Sequence, residues 1–179
     1  MEDPMSEIVK TYRQSIPPLA FVGKRYTDAD RVDGSFGAAW QTWFANNWYA
    51  PLMKLVTPAY EKAYPEAKSM IGLMRVKEGE PFEYWIGLFV PEGTPCPDGY
   101  RSVVLPKADL GIGWVEGDWS DVFCQEEAVY ARLQHAGMTL ATDPSGFACF
   151  FERYVPERFD TGKNPFILDI GFFVKPAAR

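Results

Sequence analysis

The sequence is poor in the residues that carry most metal and nucleophilic chemistry. Among its 179 residues there is one histidine, His135, and there are three cysteines, Cys96, Cys124 and Cys149. The thiols form an odd set without Cys-x-x-Cys spacing, and with a single imidazole no zinc pattern can be assembled, so buried free cysteines are expected. His135 falls in the last turn of an expected helix, where it complements the helix dipole. Gly-x-Ser-x-Gly, a phosphate-binding glycine loop and His-Glu-x-x-His are all missing, and neither a metal nor a cofactor is expected. Long apolar runs are missing too. No window approaches the roughly 18 apolar residues of a membrane span, and the polar stretch Met1 to Gln14 lacks the apolar centre of a secretory signal, so no membrane partner is expected and the cytoplasm is the expected compartment. Positive charge is not concentrated anywhere: 18 Lys and Arg stand against 24 Asp and Glu, a net charge of −6, scattered along the chain. That distribution argues against direct nucleic-acid binding.

Apolar residues, by contrast, make up 47% of the chain and aromatic residues 16%. This suffices for one domain of ordinary size, or for two small modules sharing a core. A repeat favours the second arrangement. Pro81 to Val90 reads Pro-Phe-Glu-Tyr-Trp-Ile-Gly-Leu-Phe-Val, and Pro165 to Val174 reads Pro-Phe-Ile-Leu-Asp-Ile-Gly-Phe-Phe-Val, with six of ten positions identical at an offset of 84. One module used twice, each copy ending on this strand, accounts for the match.

In chain order, Ser6 to Gln14 reads as a short helix or frayed arm, and Pro17-Pro18 opens a first strand over Leu19 to Tyr26. Phe36, Trp40, Trp43, Phe44, Trp48, Leu52 and Leu55 recur at helical spacing, with a break expected at Trp48 to Ala50 because of Pro51, and a second helical piece over Leu52 to Ala63. Ser69 to Lys77 and Phe82 to Val90 form a hairpin. Pro91 to Gly99, rich in proline and glycine, divides the halves. Strands follow at Tyr100 to Leu105 and Asp109 to Val115. Ser120 offers an N-cap for a second helix from Asp121 to about Ala136, closed by Gly137, and its start lies 84 positions after Phe36 to within one position. Strands Phe147 to Val155 and Phe166 to Lys175 end the chain. The expected fold is α+β: a duplicated β-α-β-β module with pseudo-twofold symmetry, an antiparallel sheet carrying two main helices, and a ligand groove between the halves. Residues 1–16 are the arm and 17–176 a single domain of two modules, 17–90 and 99–175.

Two strands set an acid among rings. Phe150, Glu152 and Tyr154 share one side of their strand, and Glu83 shares a face with Trp85 and Phe89. A carboxylate among rings loses hydration and has its pKa raised unless a cation or hydrogen bond stabilises it. Rings that face a cation contribute about 0.5 to 2 kcal/mol each, so such a wall suits flat or cationic organic molecules. Trp40, Phe44 and Trp48 on the first helix, and Trp114 on the strand before the second, complete the candidate ligand-binding set of Glu152, Tyr154, Trp85 and Glu83. If the protein is an enzyme, Glu152 and Glu83 are the candidate acid and base, provided the fold brings them together. The alternative reading of every one of these residues is core packing and surface ion pairs.

The layout, with Val115-Glu116-Gly117 before the second helix, Phe151-Glu152-Arg153-Tyr154 after it and the closing Leu168 to Lys175, resembles the GyrI-like small-molecule-binding family. This family is related to the effector-binding domains of AraC-type and MerR-type multidrug regulators. The final strand carries Phe173 where that family usually has proline. The resemblance implies two modules around a groove that takes hydrophobic, often cationic, planar compounds, with the acid of the Glu-x-Tyr motif, here Glu152, as a site residue. It also implies a stand-alone member without a helix-turn-helix, whose partners are small hydrophobic or cationic organic molecules and whose role is sequestration or resistance. The alternative within the family is a hydrolase of cyclopropane-containing genotoxic compounds that uses cleft carboxylates.

Overall fold

The computed structural model describes residues 6–178. The chain is α+β, and its centre is one antiparallel sheet of eight strands. Strands β1 (Ser6–Gln14) and β2 (Leu19–Thr27) precede helices α1 (Gly37–Ala45), α2 (Tyr49–Met53) and α3 (Pro58–Ala63). The hairpin β3 (Met70–Val76) and β4 (Glu83–Pro91) follows, then β5 (Arg101–Val104), β6 (Asp109–Gly117), α4 (Glu126–His135), β7 (Ala148–Tyr154) and β8 (Phe166–Val174).

Across the sheet the order is β1-β6-β8-β7-β3-β4-β2-β5. Exchanging β1 to β4 for β5 to β8 reverses this order without changing it, which is the topological signature of a twofold between the halves. β4 and β8, the strands that carry the sequence repeat, occupy matching places between a hairpin partner and a first strand. The halves also exchange their outermost strands: β1 pairs with β6 of the other half, and β5 pairs with β2. Ile71 lies opposite Gly87 as Phe151 lies opposite Gly171, and at the centre Gly72 lies opposite Glu152. The exchange maps Gly72 onto Glu152, so the pseudo-twofold axis passes between these two residues.

Three local expectations are corrected. Ser6 to Gln14 is neither a helix nor a frayed arm but edge strand β1, bulged between Ile8 and Lys10. Its Ile, Val, Thr and Tyr suit a strand, and the partner that holds it there lies about a hundred residues later in the chain. The second helix begins at Glu126, not Asp121: the Ser120 hydroxyl bonds to Asp121 instead of capping, and Val122 is buried in the loop before the helix. Helix starts Gly37 and Glu126 are therefore 89 positions apart, unlike the 84 of β4 and β8. Finally, the break in the first helical region comes at Asn46 to Trp48, with Asn47 in the left-handed region at φ 53°. Pro51 sits in the first turn of α2, where a missing N–H costs nothing.

Both faces of the sheet are packed. α1, α2 and α4 cover one face, with Trp43, Leu52, Ile86 and Leu88 buried in the first half and Val129, Leu133, Leu168 and Ile170 in the second. α3 lies on the other, where Tyr60 and Tyr64 pack with Phe21, Phe89, Phe151 and Phe173.

Candidate functional site

Alternation along β7 sends Phe150, Glu152 and Tyr154 to the α1 and α4 face and Phe151 and Arg153 to the other. Glu152 is only 9% exposed. The Tyr154 hydroxyl donates to its Oε2 at 2.6 Å, and the Tyr84 hydroxyl lies 3.5 Å from the same oxygen, at the outer limit of a hydrogen bond. Tyr84 in turn accepts from the Trp40 indole N–H at 2.9 Å. Opposite Glu152 stands a glycine: a Cβ on Gly72 would lie 2.5 Å from the Tyr84 hydroxyl and 3.1 Å from Oε2, so any larger residue would displace them. The missing side chain makes the space that the carboxylate and phenol occupy.

No Lys, Arg or His forms an ion pair with Glu152 among the described residues. Burial pushes its carboxyl up to about 7; the Tyr154 hydrogen bond opposes the rise, Glu126 adds to it and Tyr84 eases it. Burial also raises both phenols, as does the nearby carboxylate, so Tyr84 and Tyr154 remain hydrogen-bond donors. Near neutral pH Glu152 therefore titrates, and among the described residues its ionised form is met only by hydroxyl dipoles.

Around it runs a continuous belt of rings. Phe44 stacks on Trp40 at 6.0 Å between centroids, Trp40 meets Tyr154 edge-on at 5.0 Å, and Tyr154 meets Phe159 at 4.9 Å. Phe159 reaches Trp119 at 6.1 Å, and Trp119 meets Phe123 at 5.2 Å. Phe36 stacks flat on Tyr84 at 4.2 Å. The belt starts on α1 in the first half and ends in the loop before α4 in the second, passing Glu152. It reaches solvent on both sides of Glu152: Phe44 is 51% and Trp119 61% exposed. Large rings with solvent-facing ends and an unpaired acid between them can hold a flat or bulky cation by ring contact and charge.

Of the residues singled out in the sequence, Glu152, Tyr154, Trp40 and Phe44 come together here. Glu83 and Trp85 do not. Glu83 pairs across the sheet with Arg75, and Arg75 with Cys149, which puts all three on the face of Arg153. Burial there opposes ionisation of Glu83, but the Trp85 indole N–H at 2.9 Å and Arg75 at 2.6 Å overcome it and hold its pKa below the usual carboxylate range. The two acids lie on opposite faces of the sheet and cannot share a substrate. Trp114 stands on the Glu83 face, between Lys10 and Arg158. Trp48 belongs to a separate cluster with Lys24, Tyr100 and Trp43.

Tyr84, Phe36, Trp119, Phe123 and Phe159 were not legible as site residues. Tyr84 sits in the repeat strand, one position from Glu83. Trp119, in a polar Gly-Asp-Trp-Ser turn, carried the only signal for its own case, a large apolar ring where turn chemistry needs none. Among the described residues there is no group of three or more His, Cys, Asp or Glu placed to hold a metal, and no helix is long and apolar enough to cross a membrane.

No family model matches the sequence, and no curated protein matches it. Solved structures do share its fold. A candidate bacterial transcription regulation protein from Staphylococcus aureus MU50 superposes with a TM-score of 0.63 at 18% identity, covering 93% of this chain and 98% of that one. The protein SAV2435, solved bound to tetraphenylphosphonium, superposes with a TM-score of 0.62 at 18% identity, covering 93% of this chain and 94% of its own. At this identity the likeness is one of fold.

Proposed function

We propose that this protein binds hydrophobic organic cations at the ring belt around Glu152, with the carboxylate as counter-charge, and that residues 17–176 form a single effector-binding domain of two modules, 17–90 and 99–175. One observation carries the reading: a buried carboxylate beside the pseudo-twofold axis, with no cation partner among the described residues, inside rings that reach solvent at both ends. Burying an unpaired carboxylate costs several kcal/mol unless something offsets it. A bound cation would offset it, which makes the cost a source of selectivity. The tetraphenylphosphonium in a protein of the same fold supports the ligand class. Sequestration of such compounds, and hence resistance to them, is the role that follows.

Hydrolysis is the second reading, and the near-neutral Glu152 favours it, because a group titrating close to working pH is suited to proton transfer. Glu83 is unavailable as its partner, so turnover would rest on Glu152 with Tyr154. Product formation from a cyclopropane-bearing compound by the wild-type protein, abolished in Glu152→Gln, would replace binding by catalysis.

The direct test is tryptophan fluorescence titration with tetraphenylphosphonium and with tetraphenylborate, ions of like shape and opposite charge. The cation should bind in the micromolar range, about −8 kcal/mol. Glu152→Gln should weaken it by roughly 1 to 3 kcal/mol. Equal or inverted affinities for the two ions would overturn the proposal.

A further inference from the structure

A cavity also lies away from Glu152. It lies at the far corner of the other face, has a volume of about 530 Å³, and is lined by Arg25, Arg75, Arg101, Glu83, Trp85 and the Asp143 to Ser145 loop, with the β5 edge on its outer side. That volume is within the range of small-molecule sites. Its charge runs against the protein as a whole, which carries −6.

Both acids of the cavity are already used. Glu83 accepts from Arg75 at 2.6 Å, from the Trp85 indole at 2.9 Å and from Arg25 at 3.4 Å. Asp143 accepts from Arg75 at 2.6 Å, and its other oxygen takes the Ser145 and Phe147 amides at 2.8 and 3.0 Å. Three guanidinium groups therefore face two satisfied carboxylates. Arg101 makes no ion pair or hydrogen bond among the described residues, and its guanidinium stands 6.0 Å from the centre of the Trp85 ring. The corner has one unbalanced positive charge, presented beside an indole and the apolar Val103 and Val104.

The matching corner of the other half shows that the fold does not demand this opening. By strand register, Arg25 and Arg101 correspond to Trp114 and Tyr12, and Trp85 corresponds to Asp169. There Tyr12 and Trp114 pack edge to face, and Arg158 covers Trp114 and binds Asp169. What is closed by packed rings in one half is open in the other.

We propose that this cavity is a second ligand site, specific for a small organic monoanion with a flat apolar body, such as an aromatic carboxylate: Arg101 and Arg25 take the carboxylate, and Trp85 with Val103 takes the ring. Bidentate guanidinium contact to a carboxylate supplies the orientation. The site lies on the opposite face from Glu152 and does not depend on the cation reading.

The probes are 1-naphthoate and 1-naphthamide, which differ in charge but hardly in shape, titrated calorimetrically into the full chain. Naphthoate should bind at least tenfold more tightly than the amide. Arg101→Gln, an exposed position, should remove most of that difference, Arg25→Gln should reduce it, and neither should change tetraphenylphosphonium affinity. Saturating tetraphenylphosphonium should leave naphthoate binding in place. Naphthoate binding no tighter than naphthamide, or unchanged in Arg101→Gln, or lost in Glu152→Gln, would overturn the assignment. If tetraphenylphosphonium fails to bind, only the cation proposal falls, because the naphthoate comparison reads a separate face.

Discussion

Glu152 and Arg153 are neighbours in β7, both ionisable and both buried, and they have been treated in opposite ways. Arg153 is fully buried, and its guanidinium donates to Asp169 at 2.8 Å, to Gln14 at 3.0 Å and to the Tyr64 hydroxyl at 3.1 Å. Asp169 is shared with Arg158. The surrounding charges hold Arg153 protonated despite its burial. Glu152, one residue earlier and on the opposite face, has two phenols and, among the described residues, no cation. A buried ion with a full set of partners ties strands β1, β7 and β8 to the residue that closes α3. A buried ion short of partners is a destabilising feature, and its persistence in a well-packed strand points to use outside folding.

Breaking the satisfied side should cost most. Arg153→Ala leaves Asp169 buried with a lone partner and opens space beneath Tyr64, and a loss of about 3 to 5 kcal/mol in urea unfolding is expected, the usual cost of deleting one member of a buried pair. A loss below about 1 kcal/mol would mean the network is not the fold's fastening.

The unsatisfied side should show itself in pH dependence of the opposite sense from an ordinary carboxylate. With its pKa raised from the usual 4.5 to about 7, folded Glu152 holds a proton that the unfolded chain releases, so its contribution to stability is present below about pH 4.5 and lost as pH rises to about 7. Glu152→Gln should therefore match the wild type near pH 4.5 and exceed it at pH 8, by up to roughly 3 kcal/mol, from 1.4 kcal/mol per pKa unit. Parallel pH–stability curves for the two proteins would remove the claim that the charge is uncompensated.

The smallest effect sharpens the functional half of the comparison. A cation bound beside Glu152 favours the ionised form, so tetraphenylphosphonium affinity should weaken about tenfold between pH 8 and pH 6, about 1.4 kcal/mol. In Glu152→Gln the affinity should be flat with pH. A pH-independent wild type would place the ligand away from the carboxylate.

Much of this arrangement is written in local sequence. The Pro81 to Val90 and Pro165 to Val174 repeat marks strands that do occupy matching places in the sheet, and the alternation around Glu152 puts the acid on the face of Phe150 and Tyr154, because both depend only on a two-residue period. The rise in the Glu152 pKa follows from the same reading, since rings flank the acid within one strand. What the chain's order could not convey is pairing at a distance. Ser6 to Gln14 becomes a strand because β6 receives it, and the Phe44 to Phe123 belt exists only because β3 and β7 bring α1 and the loop before α4 together across the seam. Glu83 illustrates the division most plainly: its flanking rings look like those of Glu152, yet register with Arg75 and Cys149 sends it to the other face and supplies a cation, which Glu152 lacks among the described residues. Side-chain alternation is a property of the strand and can be read along it. Which face is which, and whether a charge meets its partner there, is a property of the sheet.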